Sequence, residues 1–262
     1  MEQGLIMNYL IGYYSDKGIR KEVNQDALLI KTCKSPYGRI GLFIVCDGVG
    51  GLQQGEIASS TVINVFSNWF DKDIKDINFE NITEEEIFTV INELIIDANR
   101  KIIEYGQRNN CKLGTTLTLM LTVDEKYYIY HVGDSRIYKI SNNLEILTKD
   151  QTLVAREIEL GNLTEEEAKI DSRRSVLLQC IGAKYSLTPE FSSGELSLNE
   201  VYVICSDGFY RRLEKSELIS ELSSKKFICN NDLNNKAREL VFRAMDRREA
   251  DNISVILLKT IN

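Results

Sequence analysis

Residues 40–46, IGLFIVC, form an uninterrupted apolar run. A strand with apolar side chains on both faces must be covered on both sides, so this run predicts a strand inside a layered fold. Asp47 and several glycines follow the run, and residues 55–70 then have the pattern of a helix. Taken alone, this stretch leaves three roles open for Asp47: a turn residue, part of a phosphate-binding loop, or a metal ligand.

Most of the other strand signals come in neighbouring pairs joined by short polar turns, which is typical of antiparallel hairpins. One turn is predicted at Asp124-Glu125-Lys126 and another at Asn142-Asn143. The predicted strands are, in chain order, 40–46, 116–123, 127–132, 136–140, 144–147, 201–205 and 253–258.

Helices are predicted at few places between these strands. Thr83 and Glu86 form a capping box ahead of apolar residues at helical spacing, and Thr164 with Glu167 caps a shorter helix. A further helix is predicted at 233–246. Antiparallel strand pairs with segregated helices predict an α+β fold in which sheet packs on sheet and helices lie outside.

Composition excludes several classes of protein. The net charge of -7 argues against a nucleic-acid binder, and no apolar stretch is long enough to span a bilayer. Glu2 stands where a signal peptide carries basic residues, and the six cysteines form no C-x-x-C pair. We therefore expect a protein of the reducing cytoplasm. The single histidine, His131, makes a histidine-based metal site or triad unfavourable and is expected to pack in the core.

Aspartates recur where apolar strands end, next to small residues. A single Asp-Gly pair is usually a turn, but several acidic strand ends in one domain indicate a shared site. Gathered carboxylates repel one another unless a cation intervenes, and oxygen ligands without His or Cys favour Mg²⁺ or Mn²⁺. The stretches are NQD at 24–26, CDGVGG at 46–51, GDS at 133–135, SDG at 206–208 and DN at 251–252.

Longer motifs containing these aspartates occur in an order that identifies a family resemblance. The sequence resembles the bacterial form of the metal-dependent protein phosphatase 2C (PP2C, PPM) family of serine/threonine phosphatases. The motifs span nearly the whole chain: G-x-x-x-x-x-NQD at 18–26, DGVGG at 47–51, GEIAS at 55–59, GTT at 114–116, HVGDSRIY at 131–138, LTKDQT at 147–152, SDGF at 206–209 and DNIS at 251–254.

The resemblance implies a single domain over 1–262, built as a four-layer αββα sandwich of two stacked antiparallel sheets flanked by helices. It also implies direct hydrolysis of phosphoserine and phosphothreonine by a water that bridges two Mn²⁺ or Mg²⁺ ions. The polar excursion at 150–175 would be a substrate-contacting flap. Partners would be phosphorylated proteins, namely a Ser/Thr kinase and its substrates, with no nucleic acid or membrane and with a monomer as the default.

Family positions also imply a role for each acidic residue, and all of these roles concern oxygen ligands of metal ions. Asp47 would bridge two ions, the Gly48 carbonyl would bind the second, Asp207 and Asp251 would complete the first, Asp26 would act in the inner or second shell, and Asp134 with Asp207 would hold a third.

Three positions depart from the family pattern. Lys21 stands where the family has a phosphate-binding arginine, five residues before Asp26, and Arg20 lies beside it. Register favours Lys21 as the phosphate contact, whereas the bidentate guanidinium favours Arg20. Val49 replaces a histidine of many eukaryotic members, so a water or another acid must protonate the leaving alkoxide. Residues 149–152 read KDQT where relatives often have an Asp-His pair.

Two other functions compete with this interpretation. Residues 205–211 match C-x-x-G-x-x-R, the loop of cysteine-based phosphatases, with Cys205 as nucleophile and Arg211 as phosphate ligand. Asp207 opposes that chemistry because its carboxylate would repel both the thiolate and the phosphate. A non-catalytic relative that serves as a regulatory or binding module would lack the metal-binding aspartates, and they are all present here.

Overall fold

A computed structural model describes residues 7–35, 38–49, 54–74, 77, 79, 82–223 and 227–262. Within these segments the strands form two five-stranded sheets, and all neighbouring strands are antiparallel. The strands are β1 (Asn8–Asp16), β2 (Ala27–Ser35), β3 (Gly38–Cys46), β4 (Leu117–Val123), β5 (Lys126–Val132), β6 (Arg136–Ile140), β7 (Leu144–Ile146), β8 (Glu190–Glu195), β9 (Val201–Cys205) and β10 (Ile253–Ile261).

The two sheets have the strand orders β1-β10-β9-β6-β7 and β2-β3-β4-β5-β8. None of the helices in the described segments is both long and apolar enough to cross a bilayer. The helices are α1 (Gly55–Lys72), α2 (Glu84–Asn109), α3 (Leu153–Glu159), α4 (Glu165–Ile170), α5 (Asp207–Tyr210), α6 (Lys215–Glu221) and α7 (Asn230–Asp246).

Buried apolar side chains separate into layers that explain the stacking. One cluster, which includes Phe43 and Ile256, lies between the two sheets. A second joins α1 and α2 to the outer face of the sheet that contains β3, and it includes Phe66, Ile91 and Ile44. A third joins α5, α6 and α7 to the other sheet. The four-layer αββα sandwich implied by the resemblance is therefore confirmed.

All of the strands predicted from the sequence are present, and so are the helices at 55–70, 233–246 and after the two capping boxes. The predicted hairpins join β4 to β5 and β6 to β7. Three strands were not predicted, namely β1, β2 and β8, and each lies at the edge of a sheet. The helices α3, α5 and α6 were also not predicted.

The register of the strands brings the acidic motifs to one edge of the sandwich. Cys46 at the end of β3 pairs with Ala27 at the start of β2, so Asp47 and Asp26 lie beside each other at that edge. In the other sheet, Cys205 at the end of β9 pairs with Val255 near the start of β10. Because adjacent strands are antiparallel, the end of one strand and the beginning of its neighbour present their loops on the same side.

Candidate active site

The backbone of Asp47 is fixed by the GTT segment. The Asp47 amide donates to Thr116 Oγ1 at 2.9 Å, and the Thr116 amide donates back to the Asp47 carbonyl at 2.8 Å. Thr115 Oγ1 also donates to that carbonyl, at 2.9 Å. Residues 115 and 116, which the sequence assigned to a motif without a role, therefore hold the loop that presents the Asp47 carboxylate.

Gly48 allows three segments to meet at this loop. Its amide donates to the Gln25 carbonyl at 3.2 Å. A Cβ atom at Gly48 would lie 2.7 Å from the Gly55 carbonyl carbon and 2.8 Å from Gln25, so a larger residue would push the NQD segment and α1 apart. The next two glycines of the motif, Gly50 and Gly51, lie outside the described residues.

Asp26 and Asp207 each present a buried carboxylate oxygen without a partner. Ser206 Oγ donates to Asp26 Oδ2 at 2.9 Å, and the Ser254 amide donates to the same hydroxyl at 3.0 Å. Neither Asp26 Oδ1 nor Asp207 Oδ1 has a hydrogen-bond partner among the described residues. Buried polar atoms without a partner are rare in folded proteins and indicate a missing ligand or stored strain.

Asp251 lies in a loop that Asn252 clamps to the segment before Asp26. Asn252 Nδ2 donates to the Lys17 and Val23 carbonyls at 2.9 and 3.1 Å, and its Oδ1 accepts from the Gln25 amide at 3.0 Å. The asparagine of the DN motif was not predicted as a site residue, although the motif itself was the signal. Its role is to bring residues 17–25 against the Asp251 loop.

That clamp brings one basic residue of the pair, Lys21, next to Asp251. Lys21 Nζ forms an ion pair with Asp251 Oδ1 at 2.8 Å, whereas Arg20 is exposed and forms no ion pair with any described residue. Gly18 makes the turn possible, since its φ is +73° and a side chain there would overlap the Asp251 carbonyl. Lys21, which the register favours, therefore lies beside Asp251, and Arg20, which the guanidinium chemistry favours, lies at the surface; which of the two contacts phosphate stays a prediction.

Asp134 joins the cluster from the loop between β5 and β6 and is nearly buried. Tyr210 OH donates to its carbonyl at 2.9 Å. Its carboxylate faces Arg211, whose Nη2 lies 3.8 Å from Asp134 Oδ2 and forms a closer ion pair with Asp207 Oδ2. The sequence offered Arg211 only as the phosphate ligand of the cysteine-based alternative, and the structure places it among the aspartates instead.

The electrostatics of this cluster oppose ionisation. Burial raises the pKa of Asp26 to about 7, and charge repulsion from Asp207 and Asp251 adds to that shift. Burial also raises the pKa of Asp47 and Asp134 well above the usual range. The carboxylates of these residues are close enough to repel one another, which means that they lie together at this edge of the sandwich. A cation would relieve that repulsion.

The residues at this edge fit hard divalent cations in chemistry. The available donors are carboxylate oxygens, with no His or Cys among them, and these are the ligands that Mg²⁺ and Mn²⁺ prefer. Two of these carboxylates each have one buried oxygen without a hydrogen-bond partner among the described residues. Within the described residues, however, no group of three or more His, Cys, Asp or Glu side chains is placed to hold one ion. Lys21 and Arg211 instead pair with Asp251 and Asp207.

The cysteine-based alternative is not supported. Cys205 is the last residue of β9, is fully buried and packs in the cluster between its sheet and the outer helices. Burial raises the pKa of its thiol far above the usual value, so a thiolate is disfavoured. His131 is a core residue as predicted: Nδ1 contacts Thr118 Oγ1 at 2.9 Å and Nε2 contacts the Gly133 carbonyl at 3.0 Å.

The excursion at 150–175 contains α3 and α4 and is anchored beside the site at its first residues. Asp150 accepts two hydrogen bonds from Arg136, at 2.8 and 2.7 Å, and the guanidinium lies 3.8 Å from the centre of the Tyr210 ring. Gln151 exchanges hydrogen bonds with Gly133, at 2.8 and 3.0 Å. The KDQT stretch, which departs from the family pattern, therefore fixes the start of the excursion to the Asp134 loop.

Comparisons with known proteins agree with this architecture. The family model described as Protein phosphatase 2C matches residues 17–246. Protein phosphatase PhpP of Streptococcus pneumoniae is 30% identical over 251 residues, 95% of this chain and 96% of that protein.

Solved structures give the same result. The S. agalactiae serine/threonine phosphatase superposes with a TM-score of 0.83 at 31% identity, covering 97% of this chain and 100% of that one. The catalytic domain of PstP in complex with two manganese ions shares the fold at 22% identity, with a TM-score of 0.79 and coverage of 98% and 100%. The chain therefore belongs to the protein phosphatase 2C family of metal-dependent serine/threonine phosphatases.

Proposed function

We propose that the acidic edge of the sandwich is the catalytic centre and hydrolyses phosphoserine and phosphothreonine esters directly, without a covalent phosphoenzyme. The observation that carries the proposal is the pair of buried carboxylate oxygens, Asp26 Oδ1 and Asp207 Oδ1, which have no partner inside a cluster of mutually repelling aspartates. Such a cluster costs stability unless a ligand binds there.

Two Mn²⁺ or Mg²⁺ ions would be held by oxygen donors that the loops already present. When bound, the ions would supply Lewis acidity, which lowers the pKa of a water and neutralises phosphoryl oxygens. Ser206 holds one oxygen of Asp26 through a hydrogen bond of 2.9 Å, and the second oxygen stays without a hydrogen-bond partner among the described residues. The proposed ligands are Asp47, the Gly48 carbonyl, Asp207 and Asp251, with Asp26 in the inner or second shell and Asp134 beside them.

Lys21 would bind the substrate phosphate. Its ammonium lies at the cluster and pairs with Asp251. Burial lowers the pKa of Lys21, but the Asp251 carboxylate raises it by more, so the pKa lies above the ordinary value. The group therefore remains charged at neutral pH. A lysine supplies charge without the two-pronged geometry of arginine, so it would attract phosphate with less control of orientation.

The substrates would be phosphorylated proteins, with a Ser/Thr kinase as the functional counterpart. The excursion at 150–175 begins next to Asp134, so it is suitably placed to act as a substrate-contacting flap of a single domain. A monomer in the reducing cytoplasm is proposed.

Hydrolysis of a phosphopeptide panel with and without Mn²⁺ tests the proposal. Wild type is compared with Asp207→Asn, with Cys205→Ser, and with Asp246→Asn, which changes an exposed aspartate of α7. We expect the first variant to lose activity and the other two to retain it. Metal-independent activity that Cys205→Ser abolishes would overturn the proposal, and so would an absence of phosphate release together with an absence of metal uptake.

A further inference from the structure

Arg211 is a partly buried cation placed between two of the clustered aspartates. Its side chain is 20% exposed, while those of Asp134 and Asp207 are 7% and 9% exposed. The same nitrogen, Nη2, forms the ion pair with Asp207 Oδ2 and lies 3.8 Å from Asp134 Oδ2. One positive charge therefore lies between two carboxylates and offsets part of their mutual repulsion.

The position of this guanidinium is fixed from three directions. Asp207 and Arg211 are four residues apart, and the Arg211 amide donates to the Asp207 carbonyl at 3.1 Å, so the short helix α5 places one side chain over the other. Asp134 approaches from the β5–β6 loop. Ser175, at the far end of the 150–175 excursion, accepts from Nη2 at 3.1 Å.

A divalent ion that bridged Asp134 and Asp207 would need the place of this guanidinium. The guanidinium already occupies the space between these two carboxylates, and its charge would repel a divalent ion beside it strongly where water is excluded. Arginine also remains protonated at every pH at which the protein is folded, so its charge cannot be removed by titration.

We propose that Arg211 is the built-in cation of the Asp134–Asp207 pair and excludes a third metal ion from this chain. The inference rests on the proposed metal centre and explains why that centre would hold two ions and not three. The cation at the Asp134–Asp207 pair then belongs to the polypeptide, and the contact of Arg211 with Ser175 joins it to the excursion.

Equilibrium dialysis against Mn²⁺ tests the inference without measuring activity. Wild type is compared with Arg211→Gln, with the double variant Arg211→Gln/Asp134→Asn, and with Arg247→Gln, which removes an exposed arginine paired with Glu217. We expect Arg211→Gln to bind one more Mn²⁺ per chain than wild type. The double variant should lose that additional ion, and Arg247→Gln should match wild type.

Asp134→Asn in the wild-type background gives a second measurement that does not depend on the folding of Arg211→Gln. Because Arg211 already occupies the place that an ion at this carboxylate would need, the number of bound Mn²⁺ should stay unchanged. Loss of an ion in Asp134→Asn, or no gain in folded Arg211→Gln, would overturn the role of Arg211 alone. Wild type that binds no Mn²⁺ would instead refute the metal centre itself.

Discussion

The acidic centre and the charged surface of α6 and α7 use the same residue types with opposite consequences. On the surface, Glu217 pairs with Arg247 at 2.6 Å, and hydrogen bonds from this arginine lower the pKa of Glu217 to about 2. At the centre, burial raises the pKa of Asp26 to about 7. The surface carboxylate is thus stabilised as an anion, whereas the buried one is destabilised.

This difference separates charges that support the fold from charges that serve the chemistry. Glu221 on the surface likewise has two basic partners, Lys236 at 2.8 Å and Arg243 at 3.0 Å. The centre instead leaves Asp26 Oδ1 and Asp207 Oδ1 without partners among the described residues. Folding stability does not account for such a cluster, and the proposed binding of cations would.

The largest expected effect is the difference in activity between two variants, one that removes a carboxylate from the centre and one that removes a carboxylate from the surface. Asp207→Asn should reduce kcat/KM for a phosphothreonine peptide by ~100-fold or more, because a lost ligand weakens metal binding and the chemistry together. Glu217→Gln should leave kcat/KM unchanged. Steady-state kinetics at saturating Mn²⁺ measures both, and equal losses in the two variants would show that the contrast has no functional meaning.

A smaller effect is expected at the two neighbouring basic residues. Lys21→Ala should lower kcat/KM by ~10- to 100-fold, since it removes the cation proposed to bind the phosphate. Arg20→Ala should change kcat/KM by less than about 2-fold, as is usual for an exposed charge away from the reacting groups. A larger loss in Arg20→Ala than in Lys21→Ala would reverse the assignment.

The location of the acidic centre and most of the strands beside it were predictable, because aspartates recur where apolar strands end in the sequence. The interior strands β3, β4, β9 and β10 were predicted from their apolar patterns. The edge strand β8 was not, since none of its residues is buried and its sequence, EFSSGE, carries little apolar signal. Edge strands are covered on fewer sides, so their sequences are less constrained.

The partners of the site residues were much less predictable. The Lys21–Asp251 and Arg211–Asp134 contacts join loops distant in the chain, and no local pattern records which loops meet. Arg211 was associated with Cys205 because the two match a short motif. The motif fails here because Cys205 belongs to a buried strand and not to a loop.

The two regions should also respond to pH in opposite directions when metal is removed. The folded pKa of Asp26 lies above its ordinary value of 3.8, so its cost to folding is absent at low pH and grows as pH rises towards about 7. His131, whose pKa burial lowers to about 4, has the opposite effect as pH falls below 6.5. The informative quantity is therefore the difference in unfolding free energy between wild type and Asp26→Asn.

In EDTA, urea unfolding should show Asp26→Asn gaining stability relative to wild type as pH increases from 5 to 7.5. The difference in unfolding free energy between wild type and Glu217→Gln should instead change with pH below 4.5. The folded pKa of Glu217, about 2, lies below its ordinary 4.5, so its contribution is present above pH 4.5 and is lost as pH falls. A wild-type/Asp26→Asn difference that is constant across this range would contradict the assigned burial effect.

The smallest expected effect is on the stability of the surface network at neutral pH. Glu217→Gln should cost less than about 1 kcal/mol of unfolding free energy, because an exposed ion pair gains little over its hydration and is screened by salt. The cost should shrink further in 1 M NaCl, measured by urea unfolding at pH 7 with Asp246→Asn as the control. A cost of several kcal/mol that salt does not reduce would mean that Glu217 behaves like a buried charge, and the distinction between the two regions would then fail on the surface side.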